Sequence, residues 1–241
     1  MNEIFSRTEM LIGKDALSRL KDCRVAVFGI GGVGGYVAEA LARSGVGALD
    51  LFDNDTVSPS NINRQIFALH STVGKLKTAV ACERLKDINP DIKIQEHNIF
   101  VLPSNIDEID FSVYDYVIDA IDTVSGKIAI IEKATNEKIP VISSMGTGNK
   151  TDPTKFEITD IYKTSVCPLA RVMRYEMKKR GIKKLKVLFS PEEPKKTSPS
   201  ADGRKPVPSS IAFVPPVAGL IIAGEAVRDL VNSESRDRFQ K

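Results

Sequence analysis

The residues best equipped for chemistry fall in three clusters. The first is a glycine turn, in which Gly29, Gly31 and Gly34 stand at GxGxxG spacing and Asp53 follows further along. Glycine lets the backbone turn tightly and approach a phosphate. A helix starting at the turn aims unpaired N–H groups at that phosphate, and an acid about 20 residues on can accept a ribose hydroxyl. The second cluster begins at Asp53 and Asp55 and continues through Ser60, Asn61, Asn63, Arg64 and Gln65, a dense group of hydrogen-bonding side chains. Lys75 and Lys77 then open an apolar-periodic segment. A lysine at a helix start sits against the positive end of the helix dipole, a repulsion that a bound polyanion would offset, although a plain surface lysine fits the pattern equally well. The third cluster is VIDAID, with Asp119 and Asp122. Asp119 reads as an acceptor inside a strand, and Asp122 as either a rim carboxylate or a helix cap.

These clusters need a frame. Residues 24–28 are a short β-branched and aromatic run, the helix after the turn carries Val33, Val37, Ala40 and Leu41 on one face, and a second apolar run at 48–52 closes on Asp53. A helix with Ala81, Leu85 and Ile88 inward stops at Asn89-Pro90, and further strands are expected at 93–99, 116–121 and 140–145, with a helix at 127–138. His97 belongs on the polar side of its strand as a solvated or hydrogen-bonded group. Apolar strands alternating with helices predict an α/β, Rossmann-like, doubly wound and mainly parallel sheet with helices on both faces. Ligands bind such sheets outside the carboxyl ends of the strands, which puts all three clusters at one edge.

The ends of the chain are different. Residues 1–22 read as an arm and a helix, with Arg7 preceding the stripe Ile12, Ala16, Leu17 and Leu20. A strand at 155–162 alternates, so antiparallel strands are expected in the C-terminal part. Leu169, Val172, Met173 and Met177 give a helix stripe, with Arg171, Arg174 and Lys178 on another face and a basic run through Lys183, Lys184 and Lys186. Residues 191–209 are rich in Pro and Ser and read as a mobile loop. The apolar helix expected at 211–231 carries small residues, Ala218, Gly219, Ala223 and Gly224, suited to packing on the sheet or on a second subunit. The expected organisation is a single domain over 1–241, made of the arm at 1–22, a nucleotide-binding core at 23–150 and a substrate and dimer part at 151–241.

Composition narrows the class. The chain has 241 residues, 42% apolar and 27% charged, with a net charge of +3, which fits a folded, soluble, cytoplasmic protein and is too small a charge to argue for nucleic acid by itself. No long uncharged apolar run suggests a membrane span. Cys23, Cys82 and Cys167 are far apart and the only histidines are His70 and His97, so neither a zinc site nor a disulfide framework is expected.

The combination GIGGVGG, LFDNDTVSPSNINRQ, GKLKTAVACERLKDINP and VIDAIDT resembles the ubiquitin-activating superfamily. Within it the chain is similar to the ThiF-like enzymes that adenylate carboxylates, above all to the branch that cyclises a threonylcarbamoyl-modified adenosine in the tRNA anticodon loop. The resemblance implies that Gly29, Gly31 and Gly34 with Asp53 and Asp55 hold ATP, and that Ser60, Asn61, Arg64 and Lys77 contact its triphosphate. It further implies that Asp122 organises Mg2+ and that Arg7 reaches the phosphates of the other subunit in a homodimer. Arg64, Lys77, Arg7 and magnesium would stabilise the charge that builds up as a carboxylate attacks the α-phosphorus. Carrier-activating members of the superfamily carry paired zinc cysteines and a reactive cysteine. This chain has no such pairs, and Cys167 stands alone. Adenylation of the threonyl carboxylate, then ring closure with loss of AMP, needs no enzyme thiol, and Arg171, Arg174, Lys178, Lys183, Lys184 and Lys186 would face the RNA. A sulfur-transfer partner and adenylation of a carrier-protein C-terminus stay open, as do an NAD-dependent oxidoreductase and a non-catalytic nucleotide scaffold.

Overall fold

The computed structural model describes residues 3–196 and 208–232. The mobile loop expected at 191–209 lies mostly outside the described residues. Seven strands form one sheet in the order β3-β2-β1-β4-β5-β7-β6. The strands are β1 (Arg24–Phe28), β2 (Ala48–Phe52), β3 (Lys93–His97), β4 (Tyr116–Asp119), β5 (Val141–Ser144), β6 (Glu157–Asp160) and β7 (Lys186–Phe189). All neighbours are parallel except β6 on β7. Strand β7 was not expected from the sequence: its KVLF is short and follows directly on the basic run.

Burial explains the sequence pattern of each strand. β1 and β4 lie inside the sheet with both faces covered, and apart from Arg24 every residue in them is buried. β3 is an edge strand, and its alternating polarity survives because one face stays wet. Successive side chains of β1 feed opposite layers. Val25 and Val27 join the core under α3 (Gly34–Ser44), α4 (Lys77–Ile88) and α7 (Val214–Val231). Ala26 and Phe28 join the core under α5 (Val124–Asn136). A third cluster packs α5 against α6 (Pro168–Lys179) through Ile131, Met173 and Met177.

At the N-terminus the expected single helix is two, α1 (Ser6–Ile12) and α2 (Lys14–Asp22), the second burying Ala16, Leu17 and Leu20. The small residues of α7 are used within the chain. Ala218 and Ala223 are buried, and a Cβ on Gly219 would lie 2.4 Å from the Val33 carbonyl oxygen, so this face of α7 packs on the start of α3 and does not present itself to a second subunit.

Candidate active site

The sheet order fixes where a site can form. From β1 the chain winds outward through β2 to β3, then returns to the other side of β1 to lay down β4 and β5, which leaves a crevice outside the carboxyl ends of β1 and β4. The glycine turn leaves β1 at that crevice, and Asp122 follows β4 at the same rim. Backbone bonds lock these ends together: Gly29 N–H donates to Phe52 O at 2.8 Å and Ala120 N–H to Phe28 O at 2.8 Å.

Two of the three glycines are required by the backbone. Gly29 has φ +88°, and a Cβ there would meet Ala120 O at 2.9 Å; at Gly34 a Cβ would lie 1.7 Å from Gly29 O. At Gly31 the space is open, with only Gln65 Nε2 near, 3.8 Å from the position of a Cβ, which leaves room for a phosphate. α3 begins at Gly34, so its unpaired amides face this turn.

The acids and cations of the second cluster meet across the mouth of the turn. One oxygen of Asp53 accepts Ile30 N–H at 2.7 Å and the other accepts Asp55 N–H at 2.9 Å. Burial pushes the Asp53 carboxyl above its ordinary value, against the pull of Lys77 and these two amides. Lys77 is only 6% exposed, so it is no plain surface lysine. Its Nζ lies 2.7 Å from Asp55 and 3.9 Å from Asp53, and these carboxylates offset the repulsion it meets at the start of α4.

Arg64 lies along the glycine turn, its Cγ 3.5 Å from where a Gly32 Cβ would stand. Nη1 donates to Ser60 O at 2.8 Å and to Asn63 Oδ1 at 2.9 Å, and its other guanidinium N–H groups are not engaged by the described residues. Asn63 in turn donates to Ser210 O at 3.1 Å, tying the loop to the segment that enters α7. Asn61 Oδ1 accepts Ser58 N–H at 3.1 Å and Ser60 Oγ pairs with Ser58 Oγ at 2.9 Å, so both side chains also shape the loop that presents Arg64.

Asp122 is exposed and makes no bond with any described residue. Its turn is held instead by Lys127, the first residue of the helix expected at 127–138. The sequence does carry a signal, since Lys127 is the one charged residue between Asp122 and Glu132. Asp119 is an acceptor inside its strand, as expected, taking Ser143 Oγ and the Lys127 ammonium.

Other expected residues are not brought to this rim. Arg7 is exposed on α1, and Phe5 beside it packs against Gly45 at the amino end of the sheet, so a chain cannot offer Arg7 to its own crevice. Of the basic residues, Arg171, Lys178, Lys183 and Lys184 are exposed. Arg174 instead donates to Thr164 O at 3.0 Å. Lys186 opens β7 and pairs with Glu225 at 2.7 Å and Asp229 at 2.6 Å, which removes it from the free basic surface. Cys23, Cys82 and Cys167 are all buried.

Among the described residues no three His, Cys, Asp or Glu side chains are grouped to hold a metal ion. Magnesium, however, keeps most of its waters and is commonly held by one or two carboxylates plus substrate phosphates. A single unpartnered carboxylate at Asp122, across the rim from the glycine turn, fits that mode and would not fit an all-protein cage.

Known proteins share this sequence and fold. A profile described as the ThiF family matches residues 5–240. A protein of Bacillus subtilis (strain 168) called tRNA threonylcarbamoyladenosine dehydratase is 46% identical over 94% of this chain and 94% of its own. The crystal structure of the E. coli dehydratase TcdA in complex with AMP superposes with a TM-score of 0.88 at 36% identity, covering 96% of this chain and 95% of that one. The same enzyme in complex with ATP gives 0.87 at 36%, over the same shares. With a glycine turn, a rim acid, a loop arginine and a helix-start lysine on a fold that these relatives share almost end to end, the chain belongs to the ThiF family.

Proposed function

We propose that this protein is an ATP-dependent tRNA threonylcarbamoyladenosine dehydratase. Its threonyl carboxylate substrate, on the modified anticodon-loop adenosine, attacks the α-phosphorus of ATP and displaces pyrophosphate, after which the side chain closes on the acyl-adenylate with loss of AMP. The observation that carries the reading is the near full-length match to proteins of that name, one of them with ATP in its structure, on a fold that gathers the expected nucleotide residues at one rim.

In this reading Asp53 exchanges its bond to the Ile30 amide for the ribose hydroxyls, which frees the turn's amides for phosphate. The α3 N-terminus and Gly31 seat the phosphates. Arg64, already aimed by Ser60 and Asn63, and Lys77, released from Asp55, meet the charge that accumulates at the phosphoryl oxygens when the carboxylate attacks. Asp122 would hold magnesium, which when bound neutralises phosphate charge. The nucleophile is already an anion, so no enzyme base is required for the first step.

The protein works as a homodimer in which Arg7 serves the partner's site. Its support is that Arg7 has no bond within the described residues, while Met10 and Leu11 on the same helix are 86% and 85% exposed and call for a cover. The RNA surface is narrower than the sequence suggested. Arg171, Tyr175, Lys178 and Lys179 form a stripe at helical spacing along α6, with Lys183 and Lys184 beyond it. The stripe starts near the rim, since Cys167 Sγ lies 3.5 Å from where a Gly146 Cβ would be, just after β5. Tyr175 is 68% exposed and offers a face for an unstacked base. No helix among the described residues is long and apolar enough to cross a membrane, and a tRNA substrate favours a cytoplasmic enzyme.

The second reading, adenylation of a carrier-protein C-terminus, would need a separate sulfur-transfer partner to receive the acyl group, because Cys23, Cys82 and Cys167 are all buried. The test is incubation with ATP, Mg2+ and tRNA bearing threonylcarbamoyladenosine, followed by nucleoside mass measurement. Loss of one water from the modified adenosine, matched by AMP, is the expected result. An unchanged nucleoside mass would reject the dehydratase, and AMP release on a carrier C-terminus alone would favour the second reading.

A further inference from the structure

We infer that Lys127 is a positioning residue for Asp122, and that buried Lys127, Asp119 and Ser143 hold the turn between β4 and α5 in the pose that offers Asp122 to a phosphate-borne cation. This rests on the adenylation reading above. The side chains of Lys127 and Asp119 are both 0% exposed. Lys127 Nζ lies 2.9 Å from Asp119 Oδ2 and donates to Ile121 O at 3.0 Å. Ser143 Oγ donates to the same Asp119 oxygen at 2.5 Å, and Ile121 N–H reaches the other at 3.3 Å. The Lys127 backbone N–H donates to Thr123 O at 2.9 Å. Residue 127 therefore bonds the carbonyls on both sides of Asp122, one through its side chain and one through its backbone.

The turn is also wedged. A Cβ on Gly126 would fall 2.7 Å from Ile121 Cδ1 and 2.6 Å from Val101 O, and the other flank, Ala120 O, is pressed against Gly29. Stability alone does not explain a fully buried ion pair, because apolar residues of the same volume commonly serve as well or better. What an apolar pair cannot supply is a directed donor to the Ile121 carbonyl. Asp122 has no side-chain partner of its own, so its pose depends entirely on the backbone that this donor fixes. Groups that orient a metal-binding carboxylate typically change metal affinity by about 10- to 100-fold when removed.

The experiment measures ATP binding by calorimetry with and without Mg2+, beside thermal melting, for the wild type, Lys127→Met, Lys127→Met with Asp119→Asn, Ser143→Ala and Asp122→Asn. Lys127→Met alone strands the Asp119 charge and lowers the melting temperature. The double variant removes that charge and recovers much of the stability, yet its magnesium-dependent gain in ATP affinity stays roughly tenfold weaker, while magnesium-free ATP binding is unchanged. Ser143→Ala shifts the magnesium dependence in the same direction by a smaller factor, which keeps the test open should the double variant fail to fold. Recovery of the magnesium dependence together with stability, or an equal loss of ATP affinity with and without the ion, would overturn the positioning role. If Asp122→Asn weakens magnesium-dependent binding and the Lys127 and Ser143 variants do not, only this inference fails. If Asp122→Asn has no effect, the role given to Asp122 falls, and the positioning role with it.

Discussion

Strand β2 and the residue just past it carry two carboxylates three residues apart that live under opposite rules. Asp50, inside the strand, is 2% exposed and its bonds are full: Arg24 donates twice at 2.7 and 3.0 Å, His97 Nε2 lies 2.8 Å away, and Tyr114 Oη donates at 3.0 Å. Burial alone would raise its pKa, but the bonds from His97, Arg24 and Tyr114 outweigh burial and hold the carboxyl below its ordinary value. Asp53, just past the end of the strand, has two backbone amides and a lysine at 3.9 Å, and its pKa moves up. An ionised carboxylate offers about four lone-pair sites. The interior acid has filled them and serves the fold, whereas the rim acid keeps capacity in reserve for a ligand.

That contrast is broken most sharply at Arg64. Arg64→Ala should lower AMP formation by about a hundredfold or more, the loss typical of one preorganised charge-stabilising group, with an unchanged melting temperature, because its bonds are to exposed loop groups. A steady-state rate beside a melting curve checks this; a variant that melts early but turns over normally would make Arg64 a structural residue and erase the distinction. Asp50→Ala should do the reverse. It strands Arg24, His97 and Tyr114 and should cost roughly 2 kcal/mol of stability, with Arg24 half in solvent limiting the loss, while ATP affinity measured on the folded protein stays the same.

Acid titration separates the two carboxylates by sign. A depressed carboxyl binds protons more readily in the unfolded chain, so the stability from Asp50 is present above its ordinary value and is lost as pH falls through its lower folded value. Glu39, held down by Arg84 and Arg43 against its burial, behaves the same way. Asp53 is raised, so the folded protein binds its proton more tightly, and its unfavourable contribution at neutral pH is relieved as pH falls through its folded value. Melting temperature followed from pH 7 downward (~pH 3 at the lowest) should therefore decline less steeply in Asp50→Asn than in the wild type. An identical slope would mean that Asp50 titrates alike in both states.

Much of the rim was legible because its residues are forced. Gly29 and Gly34 stand where no side chain fits, Asp53 ends a strand at a fixed distance from the turn, and Tyr116 to Asp119 is apolar enough to demand a covered central strand. What escaped were relations across the chain. Nothing near Lys186 in sequence announces Glu225 and Asp229 on α7, so a paired lysine looked like one more member of a basic run. The same holds for Arg174, spent on Thr164, and for Lys127, whose carboxylate lies on the preceding strand. Period and spacing report which face a residue takes, but not which charge awaits it there.

The lysines offer the finest test of that lesson. Lys183 and Lys184 are exposed, so if they meet RNA phosphates they release counterions, and each contributes at most about one unit to the slope of log affinity against log salt. Replacing both with Gln should lower the slope for modified tRNA by up to about two and weaken binding a few-fold near physiological salt. Lys186→Gln removes the same formal charge three residues on from Lys183 but should leave the slope alone and instead lower the melting temperature, because its ammonium is bound to Glu225 and Asp229 and raised above its ordinary value by them despite burial. Three neighbouring lysines would then give two different answers, set by what each one touches. If Lys186→Gln flattens the slope as the other pair does, RNA binding must draw Lys186 away from α7, and the line between paired and free charge would have to be redrawn for the complex.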